Sequence, residues 1–330
     1  MHGLLQPTRP SPGAADPGAD TDRTATGQVD ATFRVPRPVV SAWWRALRPL
    51  HWTKNLLVFL APGLGTQLLA WPTARGTLIL FVAMGCMASA GYIVNDIVDI
   101  PADRAHSRKR LRPFASGEIP VSHGVIAAGL LAAAGTGLGL LLPRAALLAL
   151  LAYPVITLAY TLVFKRQPII DVVILAGLYT LRVLAGGLVP TAPISPWLLT
   201  FAMFFFLGLA MVKRYAELER AARTGGGGVA ARGYTEKDLP LLLATGVASS
   251  FGAIIIFMIY LITDQYPRQI YKHPALLWAM LPLFLVWVLR VWHLAVHGRM
   301  HEDPVVFALR DAFSLIVGVI LLGVLFAAWS

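Results

Sequence analysis

Apolar segments recur along almost the whole of this 330-residue chain, at about 55–71, 76–98, 122–142, 145–163, 168–189, 196–216, 239–262, 274–297 and 310–329. Each is close to the roughly 20 residues a helix needs to cross a bilayer. A segment in lipid must satisfy its own backbone hydrogen bonds, which selects helices. Composition agrees: 57% of residues are hydrophobic and only 14% charged, against about 25% charged in a soluble domain. The expected fold is therefore all-α, a polytopic membrane protein with nine transmembrane helices. The first segment is the weakest, because Pro62, Gly63 and Gly65 interrupt it. A soluble protein with a very large core is the alternative, and it leaves the recurring runs unexplained. Residues 1–40 are rich in Pro, Gly, Ala, Asp and Thr, a composition that does not fold on its own. They read as a disordered cytoplasmic tail before a transmembrane domain at 41–330, and no cleavable signal peptide is visible.

The formal charge of +11 invites a nucleic-acid reading, but its placement argues for topology instead. Of 28 Lys and Arg residues, 23 fall on the N-terminal side of the spans and 4 on the other, with Arg182 inside a span. Positive loops stay in the cytoplasm. The N-terminus is thus expected inside and, after nine spans, the C-terminus outside, and nucleic acid is dropped as a partner. The single cysteine, Cys86, rules out an internal disulfide and gives no zinc site.

The second segment ends in Asn95-Asp96-Ile97-Val98-Asp99-Ile100-Pro101-Ala102-Asp103. Acids are expensive at a membrane boundary and mark function there. Residues four apart share a helix face, so Asn95, Asp99 and Asp103 are expected to form a stripe with Asp96 beside it. Mg²⁺ takes hard oxygen ligands, commonly one or two carboxylates plus substrate phosphates. The cations that follow, Arg104, His106, Arg108, Lys109, Arg110 and Arg112, suit the phosphates. The stretch reads as a site for a Mg²⁺-bound diphosphate, with Asp96, Asp99 and Asp103 as metal ligands. A solvated helix end with acids paired to nearby arginines is the plainer reading.

Three further constellations stand out. Tyr160, Lys165, Arg166 and Asp171 surround the turn between the fourth and fifth spans, with Asp171 already inside the membrane; topogenic charge alone accounts for the Lys-Arg pair. Arg182 sits mid-span and needs an anion, either substrate or Asp171, three turns back on nearly the same face. Lys213-Arg214-Tyr215-Ala216-Glu217 ends the sixth span; Lys213 and Glu217 are spaced to face each other, and snorkelling is the plainer account. Phe204-Phe205-Phe206 faces core or lipid, or borders an isoprenoid groove. His273 and the pair His297 and His301 read as loop residues, Gly225–Gly228 as a linker, and Arg310 as paired with Asp311.

Taken together, the chain resembles the UbiA superfamily of intramembrane prenyltransferases over about residues 41–330. Residues 95–103 match the N-D-x-x-D-x-x-x-D form of that superfamily's first motif at every fixed position. The resemblance implies nine helices around a central cavity open to the membrane, in the inner membrane of a bacterium. Arg48-Pro-Leu-His-Trp-Thr-Lys-Asn55, Asp103-Arg-Ala-His106, Leu181-Arg-Val-Leu-Ala-Gly-Gly187, Lys213-Arg-Tyr-Ala-Glu-Leu218 and Ala308-Leu-Arg-Asp311 make it more similar to decaprenyl-phosphate phosphoribosyltransferases and their bacterial relatives. Those enzymes move phosphoribosyl from its diphosphate to a polyprenyl phosphate. A second Asp-rich motif, usual near the sixth span, is replaced here by Lys213, Arg214 and Glu217, and cations suit a second anionic substrate. On that basis Mg²⁺ on Asp96, Asp99 and Asp103 would hold the donor diphosphate, with Lys165 stabilising the leaving group. Lys54, Asn95, Lys109 and Arg110 would bind the donor, and Lys213 or Arg214 the lipid phosphate. Arg104, His106, Arg112, Tyr160, Asp171, Arg182 and Glu217 complete the expected substrate-binding set. A prenyltransferase using a prenyl diphosphate and a small acceptor, a transporter or lipid scaffold, and a homo-oligomer all remain open at this point.

Overall fold

The computed structural model describes residues 39–105, 109–190, 192–223, 228–229, 232–300 and 304–330. The expected tail lies, up to residue 38, outside them. Helix α1 (Val39–Leu47) is followed by a 3-10 run, Pro49–Phe59, and by α2 (Leu60–Leu64). Then come α3 (Trp71–Val98), α4 (Ile100–Ala105), α5 (Val121–Gly139), α6 (Arg144–Leu162), α7 (Ile170–Gly187) and α8 (Pro196–Arg223). A small antiparallel hairpin, β1 (Gly228–Val229) with β2 (Tyr234–Thr235), pairs Val229 with Tyr234. Helix α9 (Leu239–Tyr260) continues through a π-helical turn, Leu261–Gln265, into α10 (Tyr266–Arg268). The chain closes with α11 (Met280–Val296), α12 (Pro304–Ala308) and α13 (Ala312–Trp329).

Among the described residues, eight helices are long and apolar enough to cross a membrane. The first expected span, 55–71, is not one of them. Its residues belong to the 3-10 run and to α2, followed by a short 3-10 turn at Gln67–Leu69 and the first residue of α3. A 3-10 helix rises about 2.0 Å per residue against about 1.5 Å in an α-helix. Residues 49–64 therefore reach about 30 Å, the thickness of a bilayer's hydrocarbon core, in a stretch that an α-helical hydropathy window passes over. Such long 3-10 runs are uncommon, and this one is wedged between α3 and α7. Gly186 makes the wedge possible, since a Cβ there would fall 1.8 Å from the Val58 carbonyl oxygen. On the other side Gly85 receives the Trp52 ring, whose atoms would lie 2.7 Å from a Cβ. Trp52 Nε1 donates to Ser89 Oγ at 3.0 Å, and that hydroxyl donates to the Leu47 carbonyl at 2.8 Å.

The core lies along α7, α8 and α11. Tyr179 stacks on Phe206 at 5.0 Å, and Phe201, Phe205, Phe257 and Phe284 interlock. Of the Phe204–Phe206 run, Phe205 and Phe206 are thus core, while Phe204 is exposed. A second layer joins α3, α6 and α7 around Leu80, Met84, Leu150 and Tyr153. Local signals set the helix starts. Asp311 caps α13 by accepting from Ser314 N at 2.8 Å, and Thr235 with Asp238 forms a capping box ahead of α9. Asp311, expected beside Arg310, pairs with Arg290 at 2.6 and 2.9 Å; the bidentate fork joins α11 to the start of α13. His293 and His297 stack at 4.1 Å, and His301 lies outside the described residues.

Candidate active site

The end of α3 presents its acids on two faces. Seven residues are two helical turns to within about 20°, so Asp103 on α4 lies over Asp96 more closely than over Asp99. The expected stripe of Asn95, Asp99 and Asp103 accordingly divides. Asp96 and Asp103, 1% and 2% exposed, share Arg112: its Nη1 lies 3.2 Å from Asp96 Oδ1 and 2.8 Å from Asp103 Oδ2. Arg48 Nη2 spans both oxygens of Asp96 at 2.6 and 2.8 Å. Asn95 and Asp99 form the other face. Asn95 Nδ2 donates to Asp99 Oδ2 at 3.2 Å, and Lys165 Nζ reaches Asp99 Oδ1 at 3.3 Å.

Two non-glycine residues around this end of the molecule sit in the left-handed region, Arg48 at φ 51° and the β-branched Ile169 at φ 68°. Such conformations persist only where surrounding contacts over-determine them. For Arg48 the contacts are Asp96 and the Tyr92 ring, 5.2 Å from the guanidinium carbon. For Ile169 the backbone N–H donates to Tyr234 Oη at 2.7 Å.

That tyrosine belongs to a second, fully buried network. Tyr234 Oη donates to Asp171 Oδ1 at 2.6 Å, and Arg214 Nη2 lies 2.7 Å from Asp171 Oδ2. Arg214, 0% exposed, also contacts Glu217. The network ties α7, α8 and the hairpin together. Burial and the hydrogen bond to Asp171 push the Tyr234 hydroxyl well above the usual tyrosine range. Two expectations change here. Asp171 is taken by Arg214 rather than by Arg182, because Arg214 approaches directly from α8 while Arg182 points three turns along α7. Glu217 likewise pairs with Arg214.

Arg182 occupies a cage of neutral groups. Nε donates to Asn55 Oδ1 at 3.0 Å, Nη1 to the Leu178 carbonyl at 2.7 Å and Nη2 to Tyr153 Oη at 2.8 Å. Its guanidinium carbon lies 4.6 Å from the Tyr153 centroid and 5.5 Å from that of Tyr179. Lys54 also approaches Tyr179, its Nζ 5.6 Å from the ring. Lys54, Tyr179 and Lys213 line a cavity of about 50 Å³ under Pro304 and Val305 of α12. Lys54 and Lys213 thus line one cavity.

The remaining candidates are dispersed. Arg104 donates to the Ala115 carbonyl at 3.1 Å and does not join the acid pair. Lys109 and Arg110 are exposed, Tyr160 contacts Arg232, and His106 lies outside the described residues. A groove of about 660 Å³ runs between α3, α5 and α6, lined almost wholly by apolar side chains and reaching Asn95. Pro154 within α6, which cannot donate a helical hydrogen bond, forms part of its wall. Sequence reasoning assigned no role to Arg48, Asn55, Tyr153 or Tyr234. Arg48 carried a usable signal, a cation at the head of the first span; Tyr234 carried none.

Among the described residues no three carboxylate, imidazole or thiol groups converge as a complete metal cage. The donors still fit a Mg²⁺ ion. Two buried carboxylates direct oxygens at one point, now spanned by a single guanidinium nitrogen, and Mg²⁺ commonly takes one or two carboxylates and leaves the rest to phosphate and water.

Residues 56–316 match the UbiA prenyltransferase family. The uncharacterized protein y4nM of Sinorhizobium fredii is 36% identical over 282 residues, 86% of this chain, and this chain spans 55% of its length. A decaprenyl-phosphate phosphoribosyltransferase of Mycobacterium tuberculosis is 32% identical over 291 residues, 86% of this chain and 92% of that one. A UbiA homolog from Archaeoglobus fulgidus, solved with GPP and Mg²⁺, superposes with a TM-score of 0.65 at 17% identity over 87% of this chain and 99% of that one, a likeness of fold.

Proposed function

Since this chain belongs to the UbiA prenyltransferase family and is an integral membrane protein, we propose that it transfers phosphoribosyl from phosphoribosyl diphosphate to a polyprenyl phosphate at the cytoplasmic face. The observation that carries this reading is the presence of two sets of opposite charge, an acid pair at Asp96 and Asp103 and a cationic pocket lined by Lys54 and Lys213. Two anionic substrates need both sets; a neutral acceptor does not. The M. tuberculosis relative supports the same substrates.

Asp96 and Asp103, with Asp99 alongside, would hold Mg²⁺, which when bound supplies positive charge to the leaving diphosphate. Lys165 and Arg112 donate to diphosphate oxygens, and Asn95 orients the donor. Arg48 spans both oxygens of Asp96 and keeps it aimed. Lys213 and Lys54 hold the acceptor phosphate, with the caged Arg182 maintaining positive potential behind them. A phosphate oxygen attacks the anomeric carbon as the bond from that carbon to diphosphate breaks, and the electron pair leaves with the diphosphate. A phosphate monoester has its second pKa near about 6 and is already largely dianionic at neutral pH, so no strong base is required and orientation carries much of the rate.

The test is direct. Purified protein, Mg²⁺, polyprenyl phosphate and either radiolabelled phosphoribosyl diphosphate or a prenyl diphosphate are incubated, and label entering the lipid phase and diphosphate release are measured. Labelled lipid from phosphoribosyl diphosphate is expected; turnover with the prenyl donor alone refutes the reading. A prenyltransferase is the second reading, and the groove favours it: a prenyl tail lying there would bring its diphosphate past Asn95 to the acids.

A further inference from the structure

Arg112 stands where a bridging cation would have to stand. Its Nη1 lies 3.2 Å from Asp96 and 2.8 Å from Asp103, whereas Mg²⁺ binds the same kind of oxygen at about 2.0–2.1 Å. The two cannot occupy that point together. Charge balance says the same. Asp96 and Asp103 are matched by Arg48 and Arg112, so the pocket is already neutral, and a divalent ion entering it unaccompanied adds two uncompensated charges.

The two arginines differ in freedom. Arg48 is fixed by its left-handed backbone, by both oxygens of Asp96 and by the Tyr92 ring. Arg112 follows a single 3-10 turn, Lys109–Leu111, and its side chain is 27% exposed. Arg112 is the displaceable one. Pulling it away with nothing in exchange breaks ion pairs to two buried acids, which is costly. Pulling it away beside a diphosphate gives the guanidinium a partner of matching fork geometry.

We infer that Arg112 is a resident counter-cation that is exchanged on binding. It leaves Asp96 and Asp103 as the divalent ion enters and passes to the diphosphate, so that metal and diphosphate bind as one event. This rests on the acid pair being the metal–diphosphate site proposed above.

Mn²⁺ serves as the probe, with free ion followed by electron paramagnetic resonance in the detergent-solubilised full chain, with and without inorganic diphosphate. In the wild type, diphosphate is expected to tighten Mn²⁺ binding at least tenfold. Arg112→Gln is expected to bind Mn²⁺ alone at least tenfold more tightly than wild type, and to lose most of the tightening by diphosphate. Arg112→Lys keeps one charge without the fork and carries the test if the glutamine variant does not fold; a several-fold tighter affinity for Mn²⁺ alone is expected. Unchanged or weaker Mn²⁺ binding in the folded variants overturns the exchange, as does a wild type indifferent to diphosphate. A wild type that binds no Mn²⁺ even with diphosphate, and an Asp96→Asn variant no different from it, overturns the site reading itself.

Discussion

Substitution separates the residues proposed to hold metal and donor from those that hold buried charge in place. Asp96→Asn removes the carboxylate that Arg48 and Arg112 share; turnover is expected to fall by at least two orders of magnitude with cooperative unfolding retained, checked by activity and thermal melting. Asp171→Asn strands part of Arg214's charge at 0% exposure and is expected to lower stability by about 3–5 kcal/mol, the range for breaking a buried pair. Asp311 gives a pH signature. Hydrogen bonds from Arg290, then those from Ser314, hold its carboxyl below the usual carboxylate range. The stability it adds is therefore complete above about pH 3.9 and is lost as pH falls through the lowered value. Asp311→Asn keeps a capping oxygen but loses the charge paired with Arg290; it is expected to be less stable at neutral pH by up to about 1 kcal/mol, the range for a partly exposed ion pair, and the gap from wild type should close in acid; melting from pH 7 down to pH 3 checks it. The acids were legible because a carboxylate costs too much at a membrane boundary to be incidental. Their pairing was not, since helical spacing offered Arg182 as one possible partner for Asp171 and gave no sign of the arginine that α8 brings across. Tyr234 was invisible because nothing local in a glycine-flanked hairpin announces a contact 63 residues away in sequence.

Secondary-structure elements were read well where the α-helical period applies and poorly where it does not. The eight helices from α3 to α13 that can cross a membrane fall near the expected segments, because about 20 apolar residues suffice to specify them. The 3-10 run escaped the pattern, since its existence depends on Gly85 and Gly186 in other helices. Gly186→Ala would push a methyl into the Val58 carbonyl; a loss of about 1–3 kcal/mol is expected from such overpacking, with the larger effect on activity because Lys54 and Asn55 ride on the same run. The groove between α3, α5 and α6 tests the donor. Ala128→Phe narrows it without touching the charged sites. Phosphoribosyl transfer is expected to keep its KM for phosphoribosyl diphosphate within about twofold, and a prenyl-diphosphate reaction would lose affinity for the donor in proportion to chain length, as buried methylenes are each worth about 0.8 kcal/mol.

On the scale of the whole molecule, the distribution of basic residues predicts an orientation for the bundle. With 23 of 28 Lys and Arg on one side, cysteine-accessibility labelling of intact cells is expected to find residues beside Arg112 protected and residues beside Lys272 reactive; the opposite pattern would place the acid pair away from cytosolic phosphosugars. The stretched coil at 49–64 then acquires a role beyond packing. Parity of crossings decides where a chain emerges. Eight passages would return Ser330 to the side from which the first began; a ninth at 49–64, made in only sixteen residues by winding more tightly and climbing faster, would deliver it to the opposite compartment.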